Sequence, residues 1–553
     1  MDAMMMDYQL TLVHVLERAR TIHPNVEVVW RMPDRSLQRY TYGDMHRRSV
    51  ALAEALQKAG LKEGERVGTL MWNHYAHMEA YFGIPLSGGV LHTLNLRLHP
   101  KDLSYIINHA GDRFVIVDDV LLPLWDKVKD LVDVEKVFVV SLTGQPLPGG
   151  TTEYEELLST ATGDYAYPDI KENQALGMCY TTGTTGRPKG VVYSHRAMVL
   201  HCLGSGLADT LAVSQQDIMV PVVPMFHANA WGIPFTATFF GSKVVHPGPH
   251  LDPESLLDLF EKEKVNVTAG VPTIWFGILQ AIQKEPDRWN LQPGMRMIVG
   301  GAAAPESMIR AFDKHDLRVI HAWGMTETTP LGSVANLKPE LLSASEDEQY
   351  AYRAKQGVPS PLVDVRAVGD EGEVAWDGES LGELHVRGPW VAGDYFNQPE
   401  ARGQWTDDGW FRTGDVVAID EHGYIRIADR TKDLVKSGGE WISSQALENA
   451  LIGHDAVAEA AVIAVPHPKW QERPLAVVVL AAGSAAESAA GSATESAAGS
   501  AALEEELKEM LAEKFASWWV PEAMVFADEI PKTSTGKFQK SKLREQYQDW
   551  TWD

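Results

Sequence analysis

Two cysteines, Cys179 and Cys202, are all that the 553 residues contain. That scarcity excludes a disulfide scaffold, and no Cys and His spacing suited to a bound metal occurs. Positive charge is also short: 49 Lys and Arg stand against 75 Asp and Glu, a formal net charge of −26. A field of that sign repels a polyphosphate backbone and anionic lipid, so general nucleic-acid binding is not expected. Any phosphate-bearing ligand must instead be met by local basic groups and backbone amides. Long apolar runs are missing too. No stretch of about 18 uninterrupted apolar residues occurs, so no transmembrane helix is expected. The start, MDAMMMDYQLTLVHVLERAR, carries Asp2 and Asp7 and lacks a basic segment followed by an apolar run, so it does not read as a secretory signal. The expectation is a soluble cytoplasmic protein.

What is present is ordinary globular material, 45% hydrophobic and 22% charged. The length exceeds the roughly 250–300 residues at which one core stops growing, which implies at least two domains. From Gly64 to about Val334, short apolar runs alternate with amphipathic stretches. Arg66–Met71, Phe114–Val117, Val137–Val140, Ile218–Val223, Met297–Val299 and Arg318–Ile320 read as buried strands. Asp252–Glu263 and Glu306–His315 read as helices. Strands separated by helices predict an α/β fold with large, doubly wound parallel sheets. After about residue 357, Gly382–Val386, Val416–Ile419 and Gly423–Ile427 predict a β-rich subdomain. DRTKDLVKSGGEWIS, from Asp429, opens a new module, with a helix at Ser444–Leu451 and a strand at Ala460–Val465. The boundary is therefore set between residues 1–429 and a small α+β domain, 430–553. Inside the latter, residues 481–502 form an imperfect repeat of eight, AAGSAAES. Its Gly and Ser weaken helix formation, and it reads as a flexible spacer of about 25 Å.

The strongest local pattern is Tyr180-Thr-Thr-Gly-Thr-Thr-Gly-Arg-Pro-Lys-Gly190, following the apolar ALGMCY. Gly183, Gly186 and Gly190 let the backbone turn sharply and bring its amides close to an anion. Thr181, Thr182, Thr184 and Thr185 add hydroxyls, and Lys189 adds a fixed charge. The combination suits a triphosphate. It is not a Walker loop, because Pro188 precedes the lysine and no Ser or Thr follows it. A Gly/Thr-rich hairpin is the plainer alternative, but eleven residues between two apolar runs favour a phosphate loop.

This segment resembles the signature of the adenylate-forming superfamily, which holds acyl-CoA synthetases, nonribosomal adenylation domains and firefly luciferase. The similarity runs from about Gly64 to the C-terminus. It implies ATP, Mg²⁺ and coenzyme A as ligands, a small carboxylic acid as substrate, and a possible homodimer. In His321-Ala-Trp-Gly-Met-Thr-Glu327, it implies that Ala322, Trp323, Gly324 and Thr326 border the nucleotide. Glu327 would share the magnesium with Thr184. Gly301 and Ala302 would also border the nucleotide, Asp415 of Trp410-Phe-Arg-Thr-Gly-Asp415 would bind the ribose, and Arg430 would assist. Lys432 would be the hinge, with Lys436 and Trp441 closing over the adenylate. Gly438, Gly439 and Glu440 would line a channel for pantetheine. Lys537, in Pro531-Lys-Thr-Ser-Thr-Gly-Lys537, would reach the α-phosphate and the carboxylate. Lys540 and Lys542, further on, read as a solvated basic face. His227, Trp231, Gly300 and Ala303 would border the acyl group, and Trp275, at the start of an apolar helix, would gate its tunnel.

A carboxylate is a poor acyl donor because its leaving group would be oxide. Transfer to AMP supplies a good leaving group, which a thiolate then displaces. Both steps develop negative charge, so placed lysines, magnesium and amides should carry the catalysis. PMFHANAWG and KSGGEWISS resemble the medium- and long-chain fatty acyl-CoA ligases most, with ligases for methylthio-substituted propionate nearby. Transfer of the acyl group to an amine or a carrier protein is a second outcome, and a luciferase-like oxygenase a third. A non-catalytic nucleotide sensor should have lost Lys537 or Glu327, and both are present.

Overall fold

A strand covered on both faces must be apolar along its whole length, and the runs beginning at Phe114, Val137 and Met297 meet that requirement. Phe114, Val115, Ile116 and Val117 are all fully buried. The computed structural model describes residues 1, 4–181, 187–437, 440–481, 493–533 and 537–552. Among them the strands form four sheets, of seven, nine, five and five strands.

The seven-stranded sheet runs Thr152–Glu153, Lys136–Val140, Asp112–Asp118, Arg66–Leu70, Val90–Thr93, Ala175–Tyr180 and Gly190–Ser194. All neighbours are parallel except the last pair. The nine-stranded sheet is parallel from Leu317–Gly324 through Met295–Val299, Val267–Gly270, Ile218–Pro221 and Lys243–His246 to Glu27–Arg31. Antiparallel strands flank it on both edges. This is the expected doubly wound α/β architecture. Helix Pro253–Glu263 starts where the sequence indicates. Asp252 accepts the Ser255 N–H at 2.9 Å, and Pro253 takes the first helical position, where a missing N–H costs nothing.

The chain divides into two compact units. The first holds Met1–Ala304, Ile309–Asp364 and Val386–Phe411, and the second Pro305–Met308, Val365–His385 and Arg412–Asp553. The second carries most of the sheet built from Gly372–Glu373, Asp364–Gly369, Gly382–Arg387, Phe411–Ile419 and Ile425–Arg430. It also holds a sheet centred on the long hairpin Val457–His467 and Gln471–Leu480.

Two expectations need correction. Part of the 481–502 repeat is helical: Ala493–Lys514 is one continuous helix, while residues 482–492 lie outside the described residues. Leu507 and Leu511 are fully buried and anchor the helix, and once nucleated it extends cheaply into an alanine-rich stretch. Lys540 is not on a solvated face. Its Nζ lies 2.7 Å from Glu448 Oε1 and donates to Ser444 Oγ at 2.6 Å. No helix among the described residues is long and apolar enough to cross a membrane.

Candidate active site

The strand Ala175–Tyr180 delivers the chain to the base of the glycine and threonine loop. There the Thr181 N–H donates to the Lys189 carbonyl at 2.9 Å, and the Lys189 N–H donates to Thr181 Oγ1 at 3.3 Å. Two bonds therefore pinch the loop shut at its root, and Gly190–Ser194 leads back antiparallel. Thr182, Gly183, Thr184, Thr185 and Gly186 lie outside the described residues.

Beside this root stand a lysine, a phenol and a carboxylate in a row. Lys189 Nζ is 4.7 Å from the centre of the Tyr395 ring, and the Tyr395 hydroxyl donates to Glu327 Oε1 at 2.6 Å. Glu327 is 6% exposed, and its carbonyl accepts the Ala392 N–H at 2.7 Å. Sequence reasoning missed Tyr395, whose only signal is an aromatic after Gly393 and Asp394. Among the described residues no group of three or more His, Cys, Asp or Glu side chains could hold a metal. One hard carboxylate, with the rest of the shell left to hydroxyls, water and phosphate oxygens, fits magnesium held mainly through a nucleotide.

The strand Leu317–Gly324 positions the Trp323 motif. The Trp323 ring packs on Gly332, where an added Cβ would come within 2.3 Å of it, and Trp323 is only 7% exposed. The Trp323 ring, expected to border the nucleotide, is therefore mostly covered by the protein itself. A Cβ on Gly324 would lie 1.8 Å from the Pro330 carbonyl oxygen, so only glycine fits there. Ala322 is buried, and the Thr326 carbonyl accepts the Tyr193 hydroxyl at 2.9 Å. The neighbouring strand ends at Val299 and continues into Gly300, Gly301, an exposed Ala302 and a half-buried Ala303. His321 holds this segment: its Nε2 accepts the Ala304 N–H at 3.3 Å, and its Nδ1–H points at the Ala354 carbonyl at 3.0 Å. Burial pushes the His321 pKa down to about 4, consistent with that neutral tautomer.

The acyl-side residues bring a feature that the sequence does not announce. After His227 the chain forms a left-handed turn, with φ of 42° at Ala228, 53° at Asn229, 48° at Ala230 and 56° at Trp231. The Ala230 N–H donates to His227 O at 3.0 Å and the Gly232 N–H to Asn229 O at 2.9 Å. Each such residue costs roughly 1–2 kcal/mol for an L-amino acid, and runs of them are rare. Trp231 is half-buried, and its ring lies 3.1 Å from where a Cβ on Gly300 would stand. Trp275 is fully buried instead, packed on Gly270. A gate at Trp275 would have to leave that packing.

The second unit carries its own set. Asp415 is buried, directly opposite Arg430 across two strands, and Arg430 Nε lies 2.8 Å from Asp415 Oδ1. Lys432 is half-buried, and burial, together with nearby Arg430 and Arg544, holds its ammonium pKa below the usual lysine value. Lys436 is exposed, and its N–H donates to Glu472 Oε2 at 2.8 Å. The backbone of Trp441 pairs with Lys436, but the side chains of Glu440 and Trp441, with all of Gly438 and Gly439, lie outside the described residues. Lys537 is half-buried; its N–H donates to Thr533 Oγ1 at 3.1 Å, and its carbonyl accepts the Thr533 N–H at 2.6 Å.

Residues 16–396 match the family model described as AMP-binding enzyme, and residues 446–537 match the AMP-binding enzyme C-terminal domain. The chain is 48% identical over 550 residues to a long-chain-fatty-acid–CoA ligase of Thermus thermophilus, covering 99% of this chain and 97% of that one. It is 41% identical to a medium-chain-fatty-acid–CoA ligase of Ectopseudomonas oleovorans, covering 99% and 97%. It is also 41% identical to a 3-methylmercaptopropionyl-CoA ligase of Ruegeria lacuscaerulensis, covering 99% and 98%. Among solved structures, the anthranilate CoA ligase AuaEII in complex with anthranoyl-AMP superposes with a TM-score of 0.84 at 23% identity, covering 99% of each chain.

Proposed function

The chain belongs to the AMP-binding enzyme family, and from that premise we propose that it is an AMP-forming acid–thiol ligase acting on a medium- or long-chain fatty acid. In the first step a carboxylate oxygen bonds to the α-phosphorus of ATP, and the bond to the bridging oxygen breaks, releasing pyrophosphate. In the second, the thiolate of coenzyme A bonds to the acyl carbon and AMP leaves with the electron pair.

The observation that carries this reading is the row Lys189, Tyr395 and Glu327 beside the pinched root of the loop. Lys189 supplies a cation to the phosphates, and magnesium, held by Glu327 and Thr184, would neutralise charge on them. The buried Asp415, held by Arg430, would accept ribose hydroxyls, and Lys537 would meet the charge that develops at the attacked phosphorus. Lys432 as hinge, Lys436 and Trp441 as closing residues, and Gly438, Gly439 and Glu440 as the thiol channel complete the assignment. Two domains meeting at 429 and 430, a cytoplasmic location and a homodimer belong to the same proposal. The Thermus and Ectopseudomonas relatives support the fatty-acid substrate, and the Ruegeria relative supports methylthio-substituted propionate as the alternative.

The test is acid-dependent exchange of labelled pyrophosphate into ATP without CoA, followed by AMP release with CoA, across acids of increasing length. We expect exchange with long and medium chains and CoA-dependent AMP release. No exchange with any acid would remove the proposal, and a peak at 3-methylthiopropionate would move it to the alternative.

A further inference from the structure

The left-handed turn at Ala228–Trp231 holds one group that the assignment above leaves unused. Asn229 is 1% exposed, its Oδ1 accepts the Cys179 S–H at 3.4 Å, and its Nδ2 has no acceptor among the described residues. Buried amide donors are nearly always paired, because losing water without a replacement is costly. Around the same thiol, Thr93 Oγ1 lies 3.2 Å from Cys179 Sγ and donates to the Phe226 carbonyl at 3.3 Å. Cys179 stands two residues before Thr181, at the root of the phosphate loop. The same turn follows His227 and ends in Trp231, whose ring lies on Gly300. The orphaned NH₂ is thus held between the strand that feeds the phosphate loop and the wall assigned to the acyl group.

We propose that Asn229 Nδ2 donates a hydrogen bond to the carboxylate of the bound acid, and that the left-handed turn serves to hold it there. The inference rests on the adenylation reading. A carboxylate brought against this buried amide loses its water, and one of its oxygens must remain free to attack phosphorus. A neutral amide can satisfy the other oxygen without giving it a proton. Asparagine also tolerates the left-handed region better than most side chains, so one residue meets both requirements. An aspartate of the same shape would repel the acid.

The competing explanation is that Asn229 is present only for its backbone conformation, and glycine separates the two. N229G supplies positive φ without strain and removes the amide; N229D keeps the shape and inverts the polarity. In pyrophosphate exchange, N229G should keep the wild-type melting temperature and the wild-type KM for ATP within about twofold. Its kcat/KM for the acid should fall on the order of 10²–10³, as for loss of one placed donor. N229D should fall at least as far, and it carries the reading if N229G folds poorly. Wild-type kcat/KM for the acid in N229G would make Asn229 a turn-former and overturn the proposal. A raised KM for ATP alone would assign the amide to a phosphate and overturn it equally. A wild-type enzyme that exchanges no pyrophosphate with any acid would remove the adenylation reading itself, and this inference with it.

Discussion

Tyr395 bears on Glu327, the proposed magnesium ligand, through a single hydrogen bond. Its hydroxyl fixes Glu327 Oε1 at 2.6 Å in a nearly buried setting, so it sets where the carboxylate points. A hydrogen bond to a charged group contributes about 1.5–3 kcal/mol, and each 1.4 kcal/mol is tenfold. Tyr395→Phe should therefore raise the Mg²⁺ concentration needed for half-maximal exchange by roughly tenfold or more, with KM for the acid little changed. An unchanged Mg²⁺ titration would make the contact one of packing alone. Lys537 calls for a different readout, because a cation proposed to sit beside the α-phosphate would matter for the first step and not for the second. Lys537→Ala should lower pyrophosphate exchange by on the order of 10²–10³ while sparing CoA-dependent consumption of supplied acyl-AMP. Equal losses in both steps would falsify that division of labour.

At the scale of elements, strands were legible wherever burial on both faces forced an unbroken apolar run. Phe114–Val117 lies inside Asp112–Asp118, and Met297–Val299 inside Met295–Val299. The glycine and threonine motif could be read as a phosphate loop because its residues are contiguous, and its core, residues 182–186, lies outside the described residues. Partners distant in the chain were not. Lys540 reads as solvated until the fold brings Glu448 within 2.7 Å of it, and Tyr395 is unremarkable until it meets Glu327. The turn at Ala228–Trp231 was hidden for another reason: only tertiary packing holds three non-glycine neighbours of Asn229 at positive φ, against their local preference. The 481–502 repeat failed through context, since composition alone did not register the anchored helix downstream. The helix yields a prediction. Deleting 483–492 should leave turnover and urea stability nearly unchanged, because it keeps both the strand Gln471–Leu480 and the helix Ala493–Lys514 whole. Extending the deletion to 502 removes the first turns of Ala493–Lys514 and should lower the stability of the second unit by about 1 kcal/mol in urea. Equal stability for the two deletions would show that those turns contribute nothing.

The whole molecule should be sensitive to mild acid, and the cause is buried histidine in the first unit. Burial pushes His195 and His321 down to about 4 and His201 and His246 to about 3, and drives His77 well below its ordinary value. Each is neutral when folded but takes a proton near pH 6.5 when unfolded, so the unfolded state binds more protons below that pH. Their contribution is complete above pH 6.5 and is lost as the pH falls toward the folded values. Buried carboxyls oppose them. Burial raises Glu79, beside Arg48, and Glu448, beside Lys540, to about 7, so between pH 7 and 4.5 they favour the folded state as protons are added. With more imidazoles depressed than carboxyls raised, the unfolded state holds more protons below pH 6.5, and each unbalanced proton is worth about 1.4 kcal/mol per pH unit. Glu17 and Glu54, held near 2, add their losses only below pH 4.5, outside this window. Urea midpoints at pH 7.5, 6.5 and 5.5 should therefore change little over the first interval and drop sharply over the second. His246 makes the sharper check, since neither of its ring nitrogens has a partner among the described residues. His246→Leu should flatten the slope between pH 6.5 and 5.5 by about 1 kcal/mol per unit. Stability that holds steady or rises as the pH falls from 6.5 to 5.5 would mean that the buried imidazoles find other ways to take up their protons.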